Sequence, residues 1–170
     1  MAAWDVDLGD VFITEMQVNP KSVADKNGEY IEVYNNSSQA ISLYGFRIED
    51  DAPNKRRINT DLILLPNDYA VFAPTTQTNV NGSVPADWGW GIEELYLDNT
   101  GDIIVLNNGH ANIDVVNYTG SWPFANGRAM ELKSNGYSMS GNNNSSNWCQ
   151  ATAYYSSNNR GTPSNSPSCN

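Results

Sequence analysis

Asp102-Ile103-Ile104-Val105-Leu106-Asn107, then Asn108-Gly109-His110-Ala111, then Asn112-Ile113-Asp114-Val115-Val116-Asn117-Tyr118 is the stretch that decides the fold. Two short apolar runs rich in β-branched residues flank an Asn-Gly pair. Each run is too short for a helix and suits a strand. Asn-Gly supplies positive φ at both central positions of a tight turn, so Asn107 to His110 reads as a type I′ hairpin turn.

The same grammar extends in both directions. Four more Asn-Gly pairs punctuate the chain: Asn27-Gly28, Asn81-Gly82, Asn126-Gly127 and Asn135-Gly136. Strands are expected over Val11 to Val18, Glu29 to Tyr34, Ile41 to Glu49 with an interruption at Gly45, Leu62 to Leu65, Tyr69 to Ala73, Glu94 to Leu97 and Arg128 to Leu132. Pro66-Asn67 suits the centre of a type II turn, because proline presets its own φ and asparagine tolerates positive φ next. No segment carries ten residues of helical periodicity. Eight or nine short strands with turns between them mean an all-β sandwich or barrel.

Composition agrees. The chain has 170 residues, 39% of them hydrophobic and only 16% charged. Asparagine alone occurs 24 times. Short amide and hydroxyl side chains bond to nearby backbone and serve turns. One domain over residues 11–170 is expected, behind a loose acidic lead-in over residues 1–10. Gly136 to Asn147 is nearly pure Ser, Asn and Gly and reads as a long surface loop. Trp148 to Tyr155 reads as a segment that packs back.

The net charge of −10 argues against a nucleic-acid partner, which needs clustered cations. The one basic cluster, Lys55-Arg56-Arg57, reads as a solvated loop. An acidic surface repels anionic membranes, and no apolar run nears the roughly 20 residues of a membrane helix. Cys149 and Cys169 lie in a polar tail that offers little apolar burial. They are expected to form a disulfide, worth about 3 kcal/mol for a loop of some twenty residues and diagnostic of an oxidising compartment. Two unpaired thiols are the competing reading.

Candidate chemistry is sparse. His110 is the only histidine and falls in the hairpin turn. By alternation, Glu29 shares a face with Ile31 and Val33, Glu32 faces the other way, and Glu15 shares a face with Val11 and Ile13. Carboxylates at a core edge can have raised pKa values and act as acids, but bonding to backbone N–H groups, or pairing with Arg47 or Arg128, is the plainer reading. Asp98, Asn99 and Asp102, or Asp25, Asn27 and Glu29, offer oxygens to calcium; turn formation is the plainer reading, and no cofactor is expected. Trp88, Trp90 and Trp122 stand in or beside Gly- and Pro-rich loops. They are the candidate ligand-facing residues, although plugging of the sandwich ends is the plainer reading.

Several motifs together resemble a known family. Glu29-Tyr30-Ile31-Glu32-Val33-Tyr34-Asn35 is similar to its E-aromatic-I-E-L-x-N strand. Ile41-Ser42-Leu43-Tyr44-Gly45-Phe46-Arg47-Ile48 resembles v-x-L-x-G-W-x-L, with Phe46 for the tryptophan. Leu65-Pro66-Asn67-Asp68-Tyr69-Ala70-Val71 resembles L-x-P-G-x-y-x-v, with Asn67 for the glycine. Asn99 to Leu106 is similar to N-x-G-D-x-v-x-L, and Gly127 to Leu132 to G-x-S-L-E. Asn147-Trp148-Cys149 and Gly161-Thr162-Pro163 match the usual close. The chain is thereby similar, over about residues 11–165, to the bacterial extracellular branch of the lamin-tail domain family. The resemblance implies an immunoglobulin-like β-sandwich of about eight to ten strands. It further implies an accessory module, outside the cell or at its surface, that binds a protein or glycan and is monomeric or weakly self-associating. The alternative it leaves open is a structural spacer or self-associating domain of a larger secreted protein.

Overall fold

The computed structural model describes residues 1–51 and 54–169. Twelve strands run in the order β1 (Val11–Gln17), β2 (Tyr30–Asn35), β3 (Ile41–Ser42), β4 (Arg47–Glu49), β5 (Lys55–Arg57), β6 (Ile63–Leu64), β7 (Tyr69–Ala73), β8 (Trp88–Gly89), β9 (Gly101–Asn107), β10 (Asn112–Thr119), β11 (Met130–Leu132) and β12 (Trp148–Gln150). One helical turn, α1 (Asp25–Gly28), precedes β2. A six-stranded sheet has the order β12-β11-β1-β2-β7-β8, a four-stranded sheet the order β10-β9-β4-β5, and β3 pairs with β6. The protein is an all-β, immunoglobulin-like sandwich.

Alternation builds the core. Ile13, Met16, Ile31, Val33, Ala70 and Phe72 from the large sheet meet Ile48, Ile104, Leu106 and Val116 from the small one, all essentially without solvent contact. β1 and β2 are buried on both faces rather than one, because the chain that follows β12, residues 151–169, folds back over the outside of the large sheet as a third layer, tied to β12 by the Cys149–Cys169 disulfide.

Several expectations need correction. Residues 1–10 are not a loose lead-in. A 3-10 turn at Ala3–Asp5 buries Ala3 and Val6, and the amino group of Met1 donates to the Ala40 carbonyl. The strand foreseen from Ile41 to Glu49 is two strands in two sheets, because Gly45 turns the chain at φ 95°. Glu94 to Leu97 alternates, with Leu95 and Leu97 buried, but finds no partner strand. Lys55 to Arg57 is an edge strand, not a loop, paired antiparallel to β4.

The central hairpin forms as β9 and β10. Its turn is not type I′: Gly109 holds φ 95°, but no asparagine of the five Asn-Gly pairs has positive φ. Asn108 instead caps the loop, its Oδ1 accepting from the N–H groups of His110 (3.0 Å) and Ala111 (2.9 Å). Asn67 does take φ 60° in the Pro66-Asn67 turn.

Candidate functional site

A β-bulge decides where the acids go. Ile13 pairs with Val33, yet Glu15 pairs with Glu32, so Thr14 is an extra residue. The bulge shifts the alternation by one. Glu15 therefore leaves the face of Val11 and Ile13 and joins Glu32 on the outer face. Glu131 on β11 lies opposite Glu15 from the other side. Three carboxyls thus stand in a row across three adjacent strands, all buried.

The third layer supplies most of their donors, and Tyr30 and Thr14 of the sheet itself supply the rest. Glu15 accepts from the Tyr30 hydroxyl, the Thr162 N–H (2.9 Å) and the Thr162 hydroxyl (2.9 Å). Glu32 accepts from the Thr14 hydroxyl (2.9 Å) and the Ser164 N–H (2.7 Å). Glu131 accepts from the N–H groups of Ser168 (2.7 Å) and Cys169 (3.1 Å) and from the Thr162 hydroxyl (3.0 Å). Gly161 is obligatory here, since a Cβ would run into Tyr30 and Glu15.

Burial, then the neighbouring Glu131 charge, pushes the Glu15 carboxyl up to about 8. Burial and the Glu15 charge hold Glu32 well above the ordinary carboxylate range, and burial raises Glu131. The donor count agrees. The Thr162 hydroxyl has one proton for two carboxyl oxygens, so a proton carried by Glu15 or Glu131 completes the bridge. The row titrates as a unit. It acts as a latch: among the described residues neither Arg47 nor Arg128 forms an ion pair with it, and its bonds run to backbone and hydroxyl groups.

A second side-chain clasp closes β1 beyond the end of β11. The Ile13 N–H donates to Asp114 Oδ2 (2.7 Å), and Asn142 Nδ2 donates both to the Ile13 carbonyl (3.1 Å) and to Asp114 (2.7 Å). Asn142 comes from the Ser/Asn/Gly loop and is fully buried. Burial pushes Asp114 up to about 6.

The two calcium candidates adjoin at one end of the sandwich. Asn99 Nδ2 donates to Asp25 (2.9 Å), and Glu29 accepts from the Leu97 N–H (3.0 Å). Asp98 accepts from the Thr100 N–H (2.7 Å) and Asp102 from the Ile103 N–H (2.7 Å). Burial takes Glu29 up to about 8 and Asp102 to about 6. Among the described residues no three of these carboxyls bring oxygens within 4.8 Å of one another. The one tight group of metal-type ligands, Glu131 with Cys149 and Cys169, has its two sulfurs in the disulfide.

Two of the three candidate tryptophans lie in the core. Trp88 is 7% exposed and Trp90 4%. Trp88 packs edge-on against Phe72 at 5.9 Å between centroids, so these rings plug the core rather than face a ligand. Trp122 is half-buried and leans on Trp148 at 5.9 Å. His110 is exposed in its turn. Glu131 escaped notice in the sequence because its partners lie 31 to 38 residues away in a polar tail. Its place between Met130 and Leu132 and its match to the acidic position of the G-x-S-L-E likeness were the signals.

No helix among the described residues is long and apolar enough to cross a membrane. No curated protein matches the chain. Residues 7–120, about two thirds of it, match the family described as Lamin Tail Domain. That stretch runs from the edge of β1 through β10 and contains the Glu15–Glu32 pair; Glu131 and the covering layer follow it. With its immunoglobulin-like sandwich and this match, the chain belongs to the lamin tail domain family.

Proposed function

We propose that the domain is a non-catalytic, extracellular module of the cell surface that binds a protein or glycan partner. The observation that carries this reading is the disulfide-bound outer layer and the three glutamates latched beneath it. The acids best suited to proton transfer are occupied as acceptors for the tail, out of reach of substrate. A disulfide closing the final segment belongs to an oxidising compartment. Recognition then falls to the exposed ends of the sandwich.

The test has two arms. The native chain is recovered from fractionated cells and alkylated before and after reduction; the expected result is a surface or medium fraction with oxidised cysteines. The immobilised, oxidised domain is then probed with glycan arrays and cell-surface extracts for a saturable partner. A cytosolic chain with free thiols overturns the compartment, and the lack of any saturable partner overturns the binding role. The alternative is a spacer or self-associating unit. Ile63 and Leu65, 56% and 53% exposed beside the short edge strand β6, favour it. Concentration-dependent dimers abolished by Ile63→Ser would establish it.

A further inference from the structure

The ribbon formed by β4 and β5 carries two contrasting cross-strand pairs on one face. Glu49 lies opposite Lys55, and the two form an ion pair at 2.9 Å. Arg47 lies opposite Arg57, like charge against like. Such a pair is destabilising on its own. Among the described residues neither guanidinium has a carboxylate within 4 Å or a hydrogen-bond acceptor. The next cation, Arg56, points to the other face and is satisfied by Glu94. In a chain of net charge −10, two adjacent cations left without an anion are an anomaly that a ligand would resolve.

A cavity of about 160 Å³ opens beside them, walled by Tyr44, Gly45, Gly109 and His110. Gly45 holds φ 95° and lies under the Arg57 side chain, where a Cβ would sit 3.5 Å from Nη2. Tyr44 is 48% exposed, with Arg57 over its ring at 5.8 Å. Guanidinium forks match planar oxyanions in two-point fashion. The volume is below the roughly 300–1,000 Å³ of sites for whole drug-sized ligands, so the cavity takes one anionic group at the end of something larger. An exposed aromatic ring beside it suits the apolar face of a sugar. A peptide docked through its backbone is disfavoured, because it needs free backbone donors at the rim. The loop's N–H groups at Gly109, His110 and Ala111 are already bonded to the side chains of Asn107 and Asn108.

We infer that the cavity between Arg47, Arg57 and Tyr44 binds the carboxylate of an acidic sugar residue at the accessible end of a glycan. This deepens the interaction-module reading and rests on it.

The test titrates the full, oxidised chain with uronate oligosaccharides, their methyl esters, inorganic sulfate and a glutamate-rich peptide. The expected result is saturable binding of the uronate, weakened by salt and lost in the methyl ester. Amide shifts should centre on Gly45 and Gly109. Arg47→Gln and Arg57→Gln should each weaken binding about tenfold or more, while Arg160→Gln leaves it unchanged. Equal binding of the ester, no effect of either variant, or tighter binding of sulfate or peptide overturns the assignment. Should a variant fail to fold, the uronate-against-ester arm on the unaltered chain still decides. An oxidised surface protein that captures a partner yet ignores uronates sinks this site alone and leaves the module reading standing.

Discussion

Two like-charge clusters stand on this sandwich, and they have opposite surroundings. Glu15, Glu32 and Glu131 are buried, adjacent and saturated with donors from Tyr30, Thr14 and the tail. Arg47 and Arg57 are adjacent, accessible and without acceptors among the described residues. Both arrangements place like charges across neighbouring strands. The first escapes repulsion because burial keeps protons on the acids and the tail supplies N–H and O–H groups. The second finds no carboxylate among the described residues, and only the Tyr44 ring lies against Arg57. A like-charge cluster that the chain itself resolves is part of the architecture, and one that it leaves open faces outward to a ligand.

The largest test of the contrast is Glu131→Ala. It strands the N–H groups of Ser168 and Cys169 and should cost about 3–4 kcal/mol in urea unfolding. Glu131→Gln, which keeps one acceptor, should cost less than half of that. Equal losses would mean that packing, not hydrogen bonding, holds the tail. Next in size is removal of the disulfide by Cys149→Ser with Cys169→Ser. The cysteines are 20 residues apart, and about 3 kcal/mol of stability should be lost. Hydrogen exchange at Thr162 and Ser164 should then rise before that of β1 does; uniform loss of protection would show that the layer is not a separable lid.

The pH dependence follows from the carboxyls. Glu15 and Glu29 titrate near 8 in the fold against an ordinary 4.5. Folding therefore favours their protonated form. That contribution is complete below about 4.5 and disappears as pH rises through about 8. Tm should accordingly fall by several degrees between pH 6 and pH 9, and Glu15→Gln should flatten the slope. A Tm that climbs over this range would mean that the row ionises normally. The smallest effect belongs to the arginines. Arg57→Gln relieves a repulsion and should raise Tm by about a degree or two. A clear loss would show that the contact of Arg57 with the Tyr44 ring outweighs the repulsion.

The fold was legible because its signals are local. Val11 to Gln17, Tyr30 to Asn35 and Tyr69 to Ala73 alternate or run apolar over the lengths at which they form strands. Pro66-Asn67 and Asn108-Gly109 turn where turn chemistry says. Local patterns with two outcomes were not decided by the sequence. Trp88 and Trp90 carry the same chemistry in a plug as on a binding loop, and only the neighbouring Phe72 separates the two. Lys55-Arg56-Arg57 has the composition of a loop and becomes a strand because β4 offers an open edge.

The sequence by itself determined the strand content, the all-β class, the positions of the turns and the likeness to the family. Each of these is written in the spacing of neighbours. Only the tertiary structure decided that Thr14 bulges and turns Glu15 outward, that a polar tail folds back to satisfy three acids, and that two arginines meet without an anion. Those outcomes depend on register and on partners up to 147 residues away, and a one-residue slip in register moves a side chain to the other face.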